Sequence, residues 1–252
     1  WVEMECAREL QESGLDMSAY MDKGFTLLQC GEILTGKKSG VDVSIYAHRR
    51  FLEDQMRQIR RGLEEGLDVS VYADPSYDGG QMREIRRGLA DGLNVSVYAS
   101  HEFRAAVMRA LRKALLLGED LSEYGRAGYG GKELLELARG KKDGNPDILS
   151  YLEKGFHADQ LAKINDAYEA GVIISPYVSI NLYGTQLGEI LKGLKKNLDV
   201  SIYARESYNW FQMREIRFGL ENKIDVSAYA DPSFTYRQME QIRKALQLGL
   251  DV

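Results

Sequence analysis

Apolar side chains fall along this chain in a short phrase that keeps returning. Met82, Ile85 and Leu89 occupy one sector of a helix turning about 100° per residue. Met56, Ile59 and Leu63 draw the same stripe one phrase earlier. Polar residues punctuate each stripe. Ahead of it, Thr26 with Gln29, Asp78 with Gln81, Asn209 with Gln212 and Thr235 with Gln238 match a capping box, in which a capping side chain is followed three residues on by Glu or Gln. Behind it, Gly66, Gly92, Gly118 and Gly171 stand where a left-handed residue ends a helix. Asn197 and Lys223 hold that place later in the chain, the lysine less comfortably. Between stripes an Asp-aliphatic-Ser lead-in, as in Asp68-Val69-Ser70 and Asp225-Val226-Ser227, predicts a short helix. Pro75 and Pro232 keep it short.

One tyrosine sets the register. It stands at Tyr20, Tyr46, Tyr72, Tyr98, Tyr124, Tyr151, Tyr177, Tyr203 and Tyr229, every 26 residues except for one step of 27 across KKDGNPD. An aromatic follows five residues later, from Phe25 to Phe234, with Leu182 the one substitute. A column of small residues runs inside the longer helices: Gly36, Gly62, Gly88, Ala114, Gly140, Ala167, Gly193, Gly219 and Ala245. Glycine there costs about 1 kcal/mol relative to alanine, so a close neighbour, a helix or an aromatic ring, is expected against it. A unit of one short and one longer helix cannot bury both faces alone, whereas stacked units can. The expectation is an all-α solenoid of about nine to ten 26-residue repeats, a single array over residues 1–252. Its central units, at about 125–184, are degenerate: GRAGYGG replaces the usual linker, and ISPYVSINLYG puts a proline in the short helix.

Composition narrows the class. The hydrophobic and charged fractions, 44% and 28%, are those of an ordinary folded chain. A formal net charge of -5 disfavours a protein basic all over, while leaving room for a local stripe. No run of about 18 apolar residues occurs, and no signal peptide is visible, so no membrane contact and a cytoplasmic location are expected. Cys6 and Cys30, at different repeat positions, argue for reduced thiols rather than a disulfide framework or a zinc site.

The consensus DVSxYAxPxFxxxQMxxIRxGLxxGL, most nearly met by DVSVYADPSYDGGQMREIRRGLADGL and DVSAYADPSFTYRQMEQIRKALQLGL, resembles a family of short tandem helical repeats in uncharacterised proteins of gut-dwelling Firmicutes. The likeness covers nearly the whole chain and departs in the central units. It implies a bacterial origin, a solenoid and a binding role, and it transfers no catalytic residue.

Candidate chemistry is sparse. His48, His101 and His157 fall at three different repeat positions and make no metal-ligand pair. GYGGKE around Lys132 lacks the spacing and the Ser/Thr of a phosphate loop. No nucleophile, base and acid group together, so the chain is expected to be noncatalytic, without cofactor or metal, and an activity would need a catalytic domain outside this segment. Tyrosine recurring this regularly reads as core, ring buried and hydroxyl at the edge, rather than as a groove-lining ladder. Arginine draws the most attention. Arg60, Arg86, Arg112, Arg217 and Arg243 share one column, and Arg57, Arg83, Arg109 and Arg214 share another three residues earlier, so the two are neighbours on a helix. Ala138, Asn165 and Leu191 interrupt the first column. Such a stripe either holds phosphates or an acidic peptide, or pairs internally with acidic residues such as Glu84 and Glu215; internal pairing is the weightier expectation. The function expected is a noncatalytic scaffold for protein–protein interaction, binding a protein or peptide on its extended surface. Variable exposed positions such as Arg87, Asp91, Lys113 and Trp210 would set specificity, and the arginine columns are the candidate binding residues. Nucleic-acid binding along those columns is the second reading.

Overall fold

The computed structural model describes residues 18–250, so Cys6 and the first 17 residues lie outside it. Among the described residues the chain is all helix, without a strand. The α-helices are α1 (Ser18–Asp22), α2 (Leu27–Lys38), α3 (Glu53–Glu64), α4 (Gly79–Ala90), α5 (Ala105–Leu116), α6 (Ser122–Arg126), α7 (Gly131–Lys142), α8 (Ile148–Glu153), α9 (Ala158–Glu169), α10 (Gly184–Leu194), α11 (Trp210–Glu221) and α12 (Tyr236–Gln247). The chain divides into two compact units, Trp1–Leu134 and Leu135–Val252, the boundary falling inside the degenerate stretch. In the first unit α2, α3, α4 and α5 pack in succession, each on its neighbours in sequence; in the second α9, α10, α11 and α12 do the same. Each unit is thus an α-helical solenoid.

The short element is tighter than the sequence suggests. In the regular repeats it is one 3-10 turn, as at Val43–Ile45, Val69–Val71 and Val200–Ile202. The aspartate before it accepts from the serine amide, 2.9 Å for Asp42 and Ser44 and 3.0 Å for Asp68 and Ser70. Among the described residues α1, at the start, and α6 and α8, in the irregular stretch, extend to an α-helical turn or more.

The long helices start and stop as the sequence predicts. Thr26, Asp78, Asn209 and Thr235 each accept from the amide of the glutamine three residues on, and that glutamine accepts from the cap's own amide. The glutamine also reaches one repeat ahead. Its Nε2 donates to the carbonyl of the next aromatic position: Gln29 to Phe51 at 2.7 Å, Gln81 to Phe103 at 2.8 Å, Gln186 to Tyr208 at 2.6 Å and Gln212 to Phe234 at 2.7 Å. Where the cap is Leu52, with no side-chain acceptor, Gln55 still bonds its amide at 2.6 Å and the Tyr77 carbonyl at 2.6 Å. The glutamine therefore staples repeat to repeat as well as closing a helix end.

The small column faces the tyrosine. A Cβ on Gly36, Gly62, Gly88, Gly193 or Gly219 would overlap the hydroxyl of Tyr46, Tyr72, Tyr98, Tyr203 or Tyr229. Each of those hydroxyls donates to a helix carbonyl fourteen residues earlier, from Glu32 at 3.0 Å to Glu215 at 3.3 Å. These five rings are fully buried. The nine-tyrosine column is not uniformly core, however. Tyr20, Tyr124, Tyr151 and Tyr177 are only half-buried. Ala114 and Ala167 stand ten residues before Tyr124 and Tyr177, and a methyl group at that place fills the slot that glycine leaves for a phenol.

Candidate functional site

The inner arginine column turns inward. Arg60, Arg86 and Arg217 are buried, and each lies across the helix before its own. Arg60 Nε donates to Glu32 at 2.9 Å, Arg86 to Gln58 at 3.2 Å, Arg112 to Glu84 at 3.2 Å, Arg217 to Glu189 at 2.8 Å and Arg243 to Glu215 at 3.1 Å. Every one of these pairs spans 28 residues, one repeat plus two. The second arm of the guanidinium takes an acid in four of the five: Glu64 for Arg60, Glu65 for Arg86, Asp91 at 2.8 Å for Arg112 and Glu221 for Arg217. Burial alone would lower the Arg60 pKa, but hydrogen bonds and charge from Glu32 and Glu64 outweigh it and raise it. Arg217 behaves the same way between Glu189 and Glu221. Phe218 adds a ring face, 4.6 Å from the Arg217 guanidinium and 5.5 Å from that of Arg243.

Two of the three interruptions answer to the residue across from them. Asn165 replaces arginine and donates to the Glu136 carbonyl at 2.9 Å. Leu191 replaces arginine where the residue 28 positions earlier is Lys163 rather than an acid. A guanidinium there would meet a like charge.

The outer column stays nearer solvent. Arg57 and Arg214 are half-buried, while Arg83 and Arg109 are exposed. Arg57 reaches Glu32 at 2.9 Å, Arg83 reaches Glu84 at 3.3 Å and Arg214 reaches Glu215 at 3.4 Å, so three of the four lean on the acid that anchors the inner column. The two columns meet at shared carboxylates and do not form one exposed stripe.

A concave site appears in the second unit, where both columns lapse. Ala162 and Gly188 stand at the outer arginine's place and Leu191 at the inner one's. Without those long side chains the faces of α9 and α10 leave a groove of about 580 Å³, closed at one side by Trp210 at the start of α11. Lys163, Lys192 and Lys195 border it, with Asp159, Asp166 and Glu189. The acids are already engaged. Asp159 accepts from the Gly184 amide at 2.9 Å, Asp166 from Lys163 at 2.7 Å and Arg139 at 2.8 Å, and Glu189 from Arg217 and, at 2.6 Å, from Lys192. Burial would raise the Asp166 pKa, yet its bonds to Lys163 and Arg139 bring it below the usual range. Lys195 is exposed and makes no ion pair among the described residues. A second hollow, about 370 Å³, continues past Thr185 and Trp210 along Tyr183 and Glu206. Trp210 is half-buried and braced: its ring stacks on Phe211 at 3.7 Å, Phe211 stacks on Tyr236 at 4.9 Å, and Arg214 lies 5.4 Å over both Trp210 and Phe211.

The residues expected to vary on the surface are distributed. Arg87, Asp91 and Lys113 are exposed in the first unit, Asp91 holding Arg112, and Trp210 lies in the second. Sequence reading found Trp210 but not Ala162, Gly188 and the three lysines. The available signal was the lapse of both arginine columns at neighbouring repeats. Among the described residues no three His, Cys, Asp or Glu side chains gather as metal ligands, and no helix is long and apolar enough to cross a membrane. Cys30 is buried. No family model, curated protein or solved structure matches this chain.

Proposed function

We propose that this chain is a noncatalytic repeat scaffold that binds a protein or peptide partner on its extended surface. One observation carries the reading: the residues that recur are occupied within the fold. The tyrosine hydroxyl holds a helix carbonyl, the glutamine staples the next repeat, and the inner arginine is shared between acids of its own and the preceding repeat. What remains outward differs from repeat to repeat, as a surface selected for one partner would.

Pairing of the inner column also weighs against phosphate binding, because a guanidinium held by two carboxylates, as in Arg60, Arg112 and Arg217, has little left for a phosphate. A displayed library of random peptides, selected against the array, tests the proposal. Enriched sequences should lose affinity with charge reversal at Arg87, Asp91 or Lys113 or with Trp210→Ala. If the library yields nothing, while oligonucleotides bind with a steep salt dependence that Arg57→Ala and Arg83→Ala abolish, the phosphate reading replaces it.

A further inference from the structure

The groove between α9 and α10 has a chemistry of its own. Its floor is Ala162, Gly188 and Leu191, small or apolar. Lys163 lies beside Gly188 and holds Asp166, Lys192 shares Glu189 with Arg217, and Lys195 is exposed at the rim with no ion pair among the described residues. Trp210 forms a fixed aromatic wall. An apolar floor with one unpaired lysine at its rim and one aromatic wall fits a chain that sets an anionic side chain beside apolar ones.

We propose that this groove binds an extended acidic peptide segment of the partner, its apolar side chains on Leu191 and Trp210 and a carboxylate on Lys195. The proposal rests on the scaffold reading and names where on the array, and to what, the scaffold binds. A nucleic-acid backbone fits less well. It needs an uninterrupted cationic track, and here Asp159, Asp166 and Glu189 stand among the lysines. Tryptophan and other aromatics in partly closed pockets are also the usual energetic centres of protein–peptide contacts.

Gly188 supplies a clean test. A Cβ there would meet only the Lys163 side chain, at 3.8 Å, and the backbone is right-handed. Arginine already stands at this place in α3, α4, α5 and α11, so Gly188→Arg fills the groove and leaves the helix intact. Trp1 and Trp210 are the only tryptophans, so Trp1→Phe leaves Trp210 as sole emitter. The probe is a pool of capped hexapeptides with glutamate at alternate positions and Leu, Ile, Phe or Met between. The expected result is a saturable change in Trp210 emission. Affinity should fall at least tenfold in Gly188→Arg and in Lys195→Glu, at unchanged melting temperature. A pool with lysine in place of glutamate should not bind. Binding that Gly188→Arg leaves intact, equal binding of the lysine pool, or an oligothymidylate displaced by Gly188→Arg where the acidic pool has no effect would each overturn the proposal. Library-selected peptides that bind while the groove stays silent would remove this site and leave the scaffold standing; silence from library and pool alike would remove both.

Discussion

At the scale of the residue, glycine and tyrosine form one device. Gly62 is a poor helix residue by about 1 kcal/mol against alanine. It is there because the Tyr72 hydroxyl fills the space a methyl group would take, with Val69 Cγ1 at 2.8 Å on the other side. Gly62→Ala should therefore destabilise by about 2 kcal/mol in urea denaturation despite its better propensity, since overpacking typically costs about 1–3 kcal/mol. Tyr72→Phe in the same chain should recover part of the loss, and a neutral Gly62→Ala would refute the pairing. Much of this device was legible. The small column announced a close neighbour, and the aromatic ring was one candidate for it. The exceptions were not foreseen, because a column of nine tyrosines looks uniform until each is set against the residue that must make room for it. The glutamine was half legible: its oxygen closes a capping box that sequence spacing reveals, whereas its nitrogen spans 22 residues to Phe51, a contact that only the packed repeat creates.

At the scale of the element, helices are joined by buried ion pairs and ended by left-handed residues. Arg217 and Glu189 are both nearly inaccessible, and losing one partner strands the other. Arg217→Leu should cost about 3 kcal/mol, in the range seen when a buried pair is broken. The chain already contains the alternative, Lys163 with Leu191. Glu189→Lys combined with Arg217→Leu should accordingly lose less than the sum of the two single changes; additive losses in a double-mutant cycle would mean the 28-residue pairing carries no coupling. Helix ends give a stabilising change. Lys223 adopts φ 57°, where Gly66 and Gly92 adopt 69°. A left-handed residue with a side chain costs about 1 kcal/mol, so Lys223→Gly should raise the melting temperature, and a lowered one would show that the lysine side chain is held by something else. Helix starts and stops were readable because caps are local. The inward turn of the arginines depended on acids a whole repeat away; their presence in the sequence suggested pairing, but the partners became definite only when helix lay on helix.

At the scale of the whole molecule, the same columns fix its response to pH. Burial raises the pKa of Tyr46, Tyr72, Tyr98, Tyr203 and Tyr229 from the ordinary 10.0. These phenols stay neutral in the fold, while the unfolded chain releases their protons near 10. Their contribution is complete below about pH 10 and is lost as pH rises beyond it. Tyrosinate absorbance should thus appear in two stages, exposed phenols first and the buried five together with unfolding; a single early stage for all would contradict their burial. In acid the sign reverses. Glu64 and Glu221 lie below the ordinary 4.5, because hydrogen bonds from Ser39 and Arg60 to Glu64, and from Lys196 and Arg217 to Glu221, exceed the upward push of burial. Their stabilisation is present above about pH 4.5 and falls away as pH drops through the folded values.

The groove was the least legible feature, because it is made by residues that break the repeat rather than by any motif. Recurring positions build the scaffold, and the departures from the repeat are where binding is proposed. The most direct test measures stability and peptide affinity on one set of variants. Tyr72→Phe, Gln81→Ala and Arg86→Met should lower the melting temperature and leave affinity at the groove unchanged. Gly188→Arg and Lys195→Glu should do the reverse. Loss of affinity at unchanged melting temperature from the recurring set, with the second set silent, would contradict the division.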